Sequence, residues 1–177
     1  MAKKLADQMA KIQSRLADTL RSLPAIIGEE AVNFSLQSFE KEGWLGDTQE
    51  NWKKRKNPTK WGKADDTNRA LLVKTGKLKR SVRITRILND RVRIGAGGAD
   101  VPYARVHNYG FRGKVDQKVN AFTRKMKDGK TQNVKAHDRT INQNIPKRQF
   151  IGTEGDSQYL RARIRRACIA ELKKILK

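Results

Sequence analysis

The stretch "ALLVKTGKLKRSVRITRILNDRVRIGAGG", residues 70–98, decides the fold. Within it, two short runs at 82–84 and 92–94 alternate apolar and polar residues, as strands with one buried face do. Asn-Asp at 89–90 lies between the runs and favours a tight turn. The glycines at 95–98 end the second run and lack the GxGxxG spacing of a phosphate-binding loop. The pattern predicts an antiparallel β-hairpin, and with it a sheet.

The residues before this hairpin carry helical periodicity. Apolar side chains recur at intervals of three and four from residue 5 to residue 23, which places them on one face of a helix over 3–22. Pro24 follows, and proline is tolerated only in the first turn of a helix. The pattern therefore predicts a second helix from Pro24 to about Lys41, ended by Gly43. One continuous bent helix is the alternative.

Residues 43–69 carry all three tryptophans in a stretch rich in Lys, Asn, Asp and Gly. The stretch has no regular period and predicts a long loop, and loops of this length are often functional. Two interpretations of the tryptophans remain open. They pin the loop onto the core, or they contact a neighbouring subunit or stack on nucleic acid. The subunit-contact candidates are Trp44, Trp52 and Trp61, together with Arg161 and Arg165 further along the chain.

A second hairpin is predicted within residues 111–144. The runs "VNAFTRKM" and "TQNVKAHD" flank "KDGK", whose Asp-Gly suits a tight turn. Apolar alternation is weak, so this hairpin is expected to project from the core. From 111 to 147 there are ten Lys or Arg and three Asp. The segment is either a solvated arm or an arm that reaches DNA or a neighbouring subunit, with Arg124, Lys125, Lys127, Lys130 and Lys135 as the nucleic-acid contact candidates.

The C-terminal segment, 145–177, ends in a predicted helix from about Ser157 to Leu176. Asp156 or Ser157 is its expected N-cap. Its apolar stripe comprises Leu160, Ile164, Cys168, Leu172 and Ile175. The opposite face carries Arg163, Arg166, Lys173, Lys174 and Lys177, while Arg161 and Arg165 lie at the edge of the stripe. The basic residues are either solvated or in contact with an anionic partner.

Composition limits the classes of function. The chain has 177 residues and a formal net charge of +22. That length predicts one domain, and that charge is usually explained by a polyanion, most often nucleic acid, with a membrane surface as the competing explanation. Since there is no apolar run of about eighteen residues and no signal-peptide pattern at the N-terminus, a cytoplasmic location is expected.

The sequence offers little for catalysis. One cysteine and two histidines give no metal-ligand spacing, and no cofactor is expected. Cys168 belongs to the apolar stripe of the C-terminal helix and is read as a small core residue. No carboxylate pair or nucleophile with an adjacent base stands out. An enzyme is therefore disfavoured.

The stretch "VPYARVHNYG", residues 101–110, concentrates polar aromatic groups. Tyr103, Val106 and Tyr109 recur at intervals of three, so a short helical turn would place them on a common face that anchors the segment to the sheet. His107 is then expected to make a fixed hydrogen bond near the turn. A direct contact of His107 with a partner is the alternative.

Short motifs now come in a distinctive order over residues 39–176. They are "TGxLxxS", "YAxxHxxG" and "IPxRxFxG", and their positions here include Thr75, Gly76, Leu78, Tyr103, His107, Gly110, Pro146, Arg148 and Phe150. In this order they resemble the phage virion-morphogenesis family, the Mu-like tail-completion proteins. The chain departs from the family pattern in Gln149, where proline is more usual, in its long basic insert at 111–144, and in its high charge.

The resemblance implies a non-enzymatic structural protein of the virion tail or neck, assembled in the host cytoplasm. It implies an α+β fold with an antiparallel sheet packed by the N-terminal and C-terminal helices. Residues 1–42 would be helical, 43–69 the tryptophan loop, 70–110 the sheet core and 111–144 the projecting basic hairpin. The expected partners are further copies in a ring, of which a hexamer is one form, other neck, connector and tail proteins, and double-stranded DNA bound non-specifically; no membrane is expected. A free-standing, sequence-non-specific nucleic-acid-binding protein is the alternative.

Overall fold

The computed structural model describes residues 2–54, 70–88 and 90–176. Within these ranges the helices are α1 (Ala2–Glu40), α2 (Lys77–Arg80), α3 (Ala104–Tyr109) and α4 (Gln158–Lys173). The strands are β1 (Gly43–Leu45), β2 (Gln49–Asn51), β3 (Arg83–Ile87), β4 (Val92–Gly95), β5 (Phe111–Val119), β6 (Phe122–Lys125), β7 (Thr131–Val134) and β8 (His137–Ile145). Single 3₁₀ turns lie at Glu154–Asp156 and Lys174–Leu176. The α+β class expected from the sequence is confirmed.

Helix α1 is one helix of 39 residues with Pro24 inside it. The division into two helices was wrong, and the continuous alternative is correct. Pro24 removes only one backbone hydrogen bond, and the turns on its C-terminal side are held by packing against α4, β3 and β4. Before Pro24 the helix leaves the core, and every residue from Lys3 to Asp18 is exposed.

The strands of the described chain form four separate two-stranded antiparallel ladders, where the sequence suggested one sheet packed by the helices. The hairpin predicted from residues 70–98 is observed as β3–β4, with Ile84 opposite Ile94 and Ile87 opposite Val92. Asn89 of its predicted turn lies outside the described residues. The ladders stay separate because each one packs on a helix or extends into solvent.

Residues 43–51 are a short hairpin, β1–β2, with Trp44 opposite Glu50. The expectation of a loop was wrong here, because strands of three residues are too short to show a period of two. Residues 55–69, which include Trp61, lie outside the described part of the chain.

Two apolar clusters form the core on the C-terminal half of α1. The larger contains Phe39, Trp52, Leu71, Leu78, Val82, Val101, Ala104 and Phe150. The smaller contains Phe34, Trp44 and Leu160. Edge-to-face contacts order both: the ring centroids of Phe34 and Trp44 are 5.2 Å apart, and those of Phe39 and Trp52 are 5.6 Å apart. Because Leu160 belongs to α4, the smaller cluster also fixes the C-terminal helix against α1.

The segment 111–145, which we call the arm, is a long two-stranded projection. Its base pairs β5 with β8 from Phe111–Ile145 to Val119–His137, and its outer part pairs β6 with β7. Gly129 closes the turn with a φ of 82°. Throughout the arm every side chain is exposed or half-buried. The arm therefore depends on its own strand pairing and on its attachment at the base.

Candidate assembly and nucleic-acid interfaces

The segments that carry the sequence motifs meet around the buried side chain of Asn108. Its Oδ1 accepts hydrogen bonds from the backbone N–H groups of Phe150 and Ile151 at 2.9 and 3.0 Å, and its amide nitrogen donates to the carbonyl of Ile151 at 3.1 Å. Phe150 itself is almost completely buried in the larger core cluster. Asn108 therefore pairs the backbone of the "IPxRxFxG" motif with the "YAxxHxxG" motif.

Three further hydrogen bonds tie these motifs to the segment after β2. The Arg148 guanidinium donates to the carbonyl of Lys53 through Nε and Nη2 at 3.1 and 2.8 Å. Conversely, Trp52 Nε1 donates to the carbonyl of Gln149 at 2.9 Å. We call Trp52, Asn108, Arg148 and Phe150 the junction core. All four side chains are buried within the chain itself.

The two tryptophans that the structure describes pack in the core. Trp44 Nε1 donates to the carbonyl of Asp156 at 3.4 Å, and a side chain at Gly152 would bring its Cβ within 2.7 Å of the Trp44 ring. Trp44 and Trp52 are both buried in their own chain, which supports the core interpretation and leaves them little surface for a neighbouring subunit. Trp61 lies outside the described residues.

The "TGxLxxS" motif forms a compact entry to the first hairpin. Gly76 has a φ of 71° and precedes α2, which buries Leu78. Ser81 Oγ donates to the carbonyl of Leu78 at 2.7 Å and accepts from the N–H of Gly97 at 3.0 Å. Thr75 Oγ1 accepts a long bond of 3.5 Å from the N–H of Lys77. The motif therefore joins α2 to the residues that follow β4.

The short helix expected within "VPYARVHNYG" is present as α3, but its buried face differs from the predicted one. Val101, Ala104 and Asn108 are buried, while Tyr103 and Tyr109 are 40% and 70% exposed. The tyrosines therefore do not anchor the segment to the sheet. Two successive intervals of three drift away from a single helical face, whereas the interval of four between Ala104 and Asn108 stays close to one turn of 3.6 residues.

The expected hydrogen bond of His107 was also wrong. Its Nδ1 is buried and has no hydrogen-bond partner among the described residues; the backbone carbonyl of His107 instead accepts from the N–H of Arg148 at 2.8 Å. The ring meets Tyr103 edge to face at 5.7 Å and borders a cavity of about 450 Å³ beside Leu71 and Leu78. Burial, helped by the positive charge of Arg148, lowers the pKa of His107 below 6.5 and favours a neutral imidazole.

Gly110 sets the point where the arm leaves the junction core. Its φ is 76° and its ψ is 168°, a conformation that only glycine adopts readily. A Cβ at this position would lie 2.8 Å from the N–H nitrogen of Lys147. Pro146 stands beside Lys147 at the return of the arm. Gly110 thus allows the two strands to enter and leave the body of the protein at close range.

The arm offers basic groups that no carboxylate neutralises. Between residues 111 and 145 there are nine Lys or Arg and three Asp. None of the nine lies within 4.0 Å of a carboxylate oxygen of the described residues. The predicted contact residues Arg124, Lys125, Lys127, Lys130 and Lys135 are all exposed and lie in or beside β6 and β7.

One predicted basic residue of α4 is held by an ion pair within the chain, and the others lie at the surface. Arg163 forms an ion pair with Glu30 and donates to Gln37 Oε1 at 2.9 Å, so its placement on a free face opposite the apolar stripe was wrong. Its guanidinium fastens α4 to α1 beside the smaller core cluster.

The other predicted basic residues of α4 remain at the surface. Arg165, Arg166 and Lys173 are exposed, while Arg161 donates to the carbonyl of Glu154 at 3.3 Å and Lys174 pairs with Glu171 at 2.6 Å. Lys177 lies outside the described residues. The helix begins as expected, because the Ser157 hydroxyl caps the N–H of Leu160 at 3.0 Å.

Two residues that were not among the candidate site residues hold the core together. Asn108 is one, and Glu42 is the other: it has a φ of 48° and accepts the N–H of Leu71 at 2.5 Å. Neither residue follows a periodic pattern. For Asn108 the usable signal was its place inside a motif next to His107.

The described part of the chain shows no group of three or more His, Cys, Asp or Glu placed to hold a metal ion. Among the helices of the described residues, none combines the length and apolar character needed to cross a bilayer. Cys168 is half-buried on α4, and burial raises the pKa of its thiol.

Comparison with known proteins supports the family resemblance of the motifs. The model of the phage virion morphogenesis family matches residues 2–173, which adds α1 to the range over which the sequence motifs were found. No curated protein and no solved structure gave a significant match. The motifs of the junction core and a match over nearly the whole chain lead to one conclusion: this chain belongs to the phage virion morphogenesis family.

Proposed function

We propose that this virion morphogenesis protein completes the tail of a tailed phage or prophage and joins it to the head, in the neck, as a ring whose arm contacts double-stranded DNA. Family membership gives the structural role in virion assembly. The observation that carries the finer proposal is the arm: a projecting hairpin with nine basic and three acidic residues and no buried side chain.

The dimensions of the arm suit contact with a duplex. The β5–β8 ladder has nine residue pairs and therefore spans roughly 30 Å, since an antiparallel strand rises about 3.4 Å per residue. The outer β6–β7 ladder and its turn extend the arm further and carry Arg124, Lys125, Lys127 and Lys130. A single arm thus presents basic groups over a length comparable to one turn of B-DNA, about 34 Å.

The chemistry of the arm favours phosphates over base edges. The Arg124 guanidinium is held by Gln132 Oε1 at 2.6 and 3.0 Å, and that of Arg139 by Gln117 Oε1 at 3.0 and 3.3 Å. These bonds use guanidinium donors that would otherwise read guanine. The lysines remain, and an ammonium group binds phosphate as a point charge. This supports binding without sequence specificity.

A ring is a natural setting for this charge. Subunits arranged around a DNA channel would direct many arms at phosphates, and this would relieve the self-repulsion of chains that each carry +22. A closed ring requires two different surfaces on each subunit. The other partners in this role are the neighbouring neck, connector and tail proteins of the virion.

DNA binding is tested with the purified chain and a linear duplex of random sequence over a series of salt concentrations. In the triple variant Lys125→Gln, Lys127→Gln, Lys130→Gln we expect weaker binding and a shallower salt dependence. Each lost phosphate contact should reduce the slope of log K against log salt by about 0.9. Fluorescence anisotropy of the labelled duplex measures both quantities.

The matched control removes three positive charges elsewhere, with Lys41→Gln, Lys74→Gln and Lys77→Gln. All three lysines are exposed and lie away from the arm. If the control weakens binding and flattens the slope as much as the arm variant does, the total charge and not the arm carries the affinity. Unchanged binding by the arm variant would likewise contradict the proposed contact.

The joining role is tested with tails and DNA-filled heads from a phage or prophage that lacks the gene for this chain. Adding the purified protein should produce joined particles that electron microscopy can count. A protein that binds DNA but leaves heads and tails separate, and does not associate with tails, would favour the free-standing nucleic-acid-binding alternative.

A further inference from the structure

We propose that the exposed N-terminal half of α1 docks into an apolar groove on a second copy of this chain. The groove lies between α1, the β3–β4 hairpin and α4. Each copy carries both surfaces, so two copies can each insert a helix into the groove of the other. This interface is separate from the arm and does not depend on DNA binding.

The helical half of the interface is an exposed apolar stripe on the part of α1 that meets the C-terminal end of the chain through Arg15, which donates to the carbonyl of Lys174 at 3.2 Å. Leu5, Met9, Ile12, Leu16 and Leu20 are 62, 51, 42, 40 and 52% exposed. Their intervals of four and three place them on a single face of α1. A stripe of this length in water is unusual on a monomer, because contiguous exposed apolar patches commonly mark contact sites.

The receiving half is an open groove of about 610 Å³. Leu20, Leu23, Ile27, Val92 and Ile164 line it, and Glu154 and Arg161 stand at its rim. Beyond Ile27 and Ile164 it continues into a second depression of about 490 Å³ beside Leu160 and Ile151. The apolar side chains of the groove, which lie beside the charged Asp90, Arg91, Glu154 and Arg161, suit the apolar face of an amphipathic helix.

The stripe cannot fill the groove of its own chain. Helix α1 runs without a break from Ala2 to Glu40, so its N-terminal half points away from the groove that its middle turns line. Leu20 belongs to both surfaces. The apolar stripe therefore runs directly into the groove, and a second helix laid along it would cover both.

Charge favours a second copy as the occupant. Residues 3–22 carry five basic and two acidic side chains, and Arg21 is paired with Asp18 at 3.5 Å. The carboxylate of Glu154 at the groove rim makes no ion pair with any described residue. On a chain of +22, a groove with a free carboxylate and a balanced rim is an electrostatically favourable place for the basic end of α1.

The buried area also favours a second copy. A helix of about 20 residues is about 30 Å long, so half of its surface amounts to roughly 500 Å². A single helix in a groove would fall short of the roughly 800 Å² per partner of a stable interface. A copy of this chain that both inserts its helix and receives another reaches that size.

The proposal is tested by measuring the mass of the purified chain, freed of nucleic acid with nuclease, by light scattering at several protein and salt concentrations. We expect self-association that strengthens with salt, because screening relieves repulsion between chains of +22 and salt does not weaken apolar contacts. DNA binding weakens with salt, so the contact of the arm with DNA and this interface between copies fail or hold independently.

Ile12→Glu should abolish the association, while Ser14→Glu, on the opposite face of the same helix, should preserve it. Both positions are exposed, so neither variant should unfold the protein. Glu154→Lys should weaken the association from the groove side. A monomeric wild-type chain at every concentration, or an Ile12→Glu variant that associates like the wild type, would overturn the proposal. A monomer that binds anionic vesicles through the stripe would overturn it in favour of a membrane surface.

Discussion

The junction core and the arm are built by opposite means. In the junction core every polar side chain is buried with partners: Asn108 makes three hydrogen bonds to backbone groups, and Arg148 donates two to the carbonyl of Lys53. In the arm no side chain is buried, and the side-chain bonds join exposed neighbours across the strands. The first region is held by the cost of leaving buried groups unpaired, and the second by local strand pairing.

Because of this difference, the residues that identify the family and the residues suited to bind a partner lie in different regions. The motifs that resemble the family are gathered in the junction core, where they fix the fold and present little to a partner. The groups suited to a polyanion lie in the arm, where the chain departs from the family pattern. The motifs therefore indicate what kind of protein this is, while its partner contacts are expected outside them.

Breaking the junction core should have the largest effect. Asn108→Ala would leave three backbone groups without these partners, one of them buried and two partly buried, at about 1–3 kcal/mol for each unsatisfied buried group. We expect the free energy of unfolding to fall by about 3 kcal/mol or more. Urea unfolding followed by tryptophan fluorescence measures this. The matched variant Asn142→Ala, exposed in the arm, should stay within about 0.5 kcal/mol of the wild type; similar losses in the two variants would contradict the distinction between the regions.

The boundary between the regions can be tested at two glycines with positive φ. Gly110→Ala should cost about 1–3 kcal/mol for the backbone conformation, with a further loss from the close approach of Lys147. Gly129→Ala, at the tip of the arm, has no atom within 4 Å of the added Cβ and should cost only about 1 kcal/mol. Thermal unfolding compares them. An equal loss at the tip would mean that crowding at Gly110 contributes nothing.

The smallest effect concerns pH. Because the pKa of His107 is lowered below 6.5 in the folded chain, the unfolded chain binds more protons in the interval between the two values. The stabilisation is complete above pH 6.5 and is lost as the pH falls through that interval. In His107→Gln this part of the pH dependence should disappear, and the fold should be retained.

Unfolding midpoints between pH 5 and 8 provide the measurement for His107. The control is Asn142→Gln, in the exposed arm, which removes no titratable group and should keep the wild-type pH profile. If the His107 variant retained the wild-type slope below pH 6.5, burial of the imidazole would not contribute to stability.

Much of the local structure could be predicted from the sequence. The periodicity of α4 and its Ser157 cap, the alternation in β3 and β4, and the Asp-Gly turn before β7 are all signals within a few residues of one another. The sequence-based predictions failed where contacts between residues far apart in the chain determine the position of a side chain. Trp44 and Trp52 were candidates for a subunit interface because their partners, Asp156 and Gln149, lie about a hundred positions away.

Pro24 also shows that a local sequence signal can be overruled by packing, in this case within one helix. The proline by itself predicted a break, but the packing of α1 on α4 and on the β3–β4 hairpin keeps the helix continuous. Arg163 is a second case: its spacing placed it on a solvent face, whereas the crossing of α4 over α1 brings it to Glu30.

By itself the sequence determined the class of the fold, the family, the extent of α4, and the concentration of positive charge between residues 111 and 147. These follow from periodicity, ordered motifs and composition, which are local properties. Only the tertiary structure decided that Asn108 is the centre of the junction core, that two tryptophans are buried, and that the α1 stripe is left uncovered beside an open groove. Burial and hydrogen bonding between distant segments are set by how the elements pack, and no pattern along the chain records them.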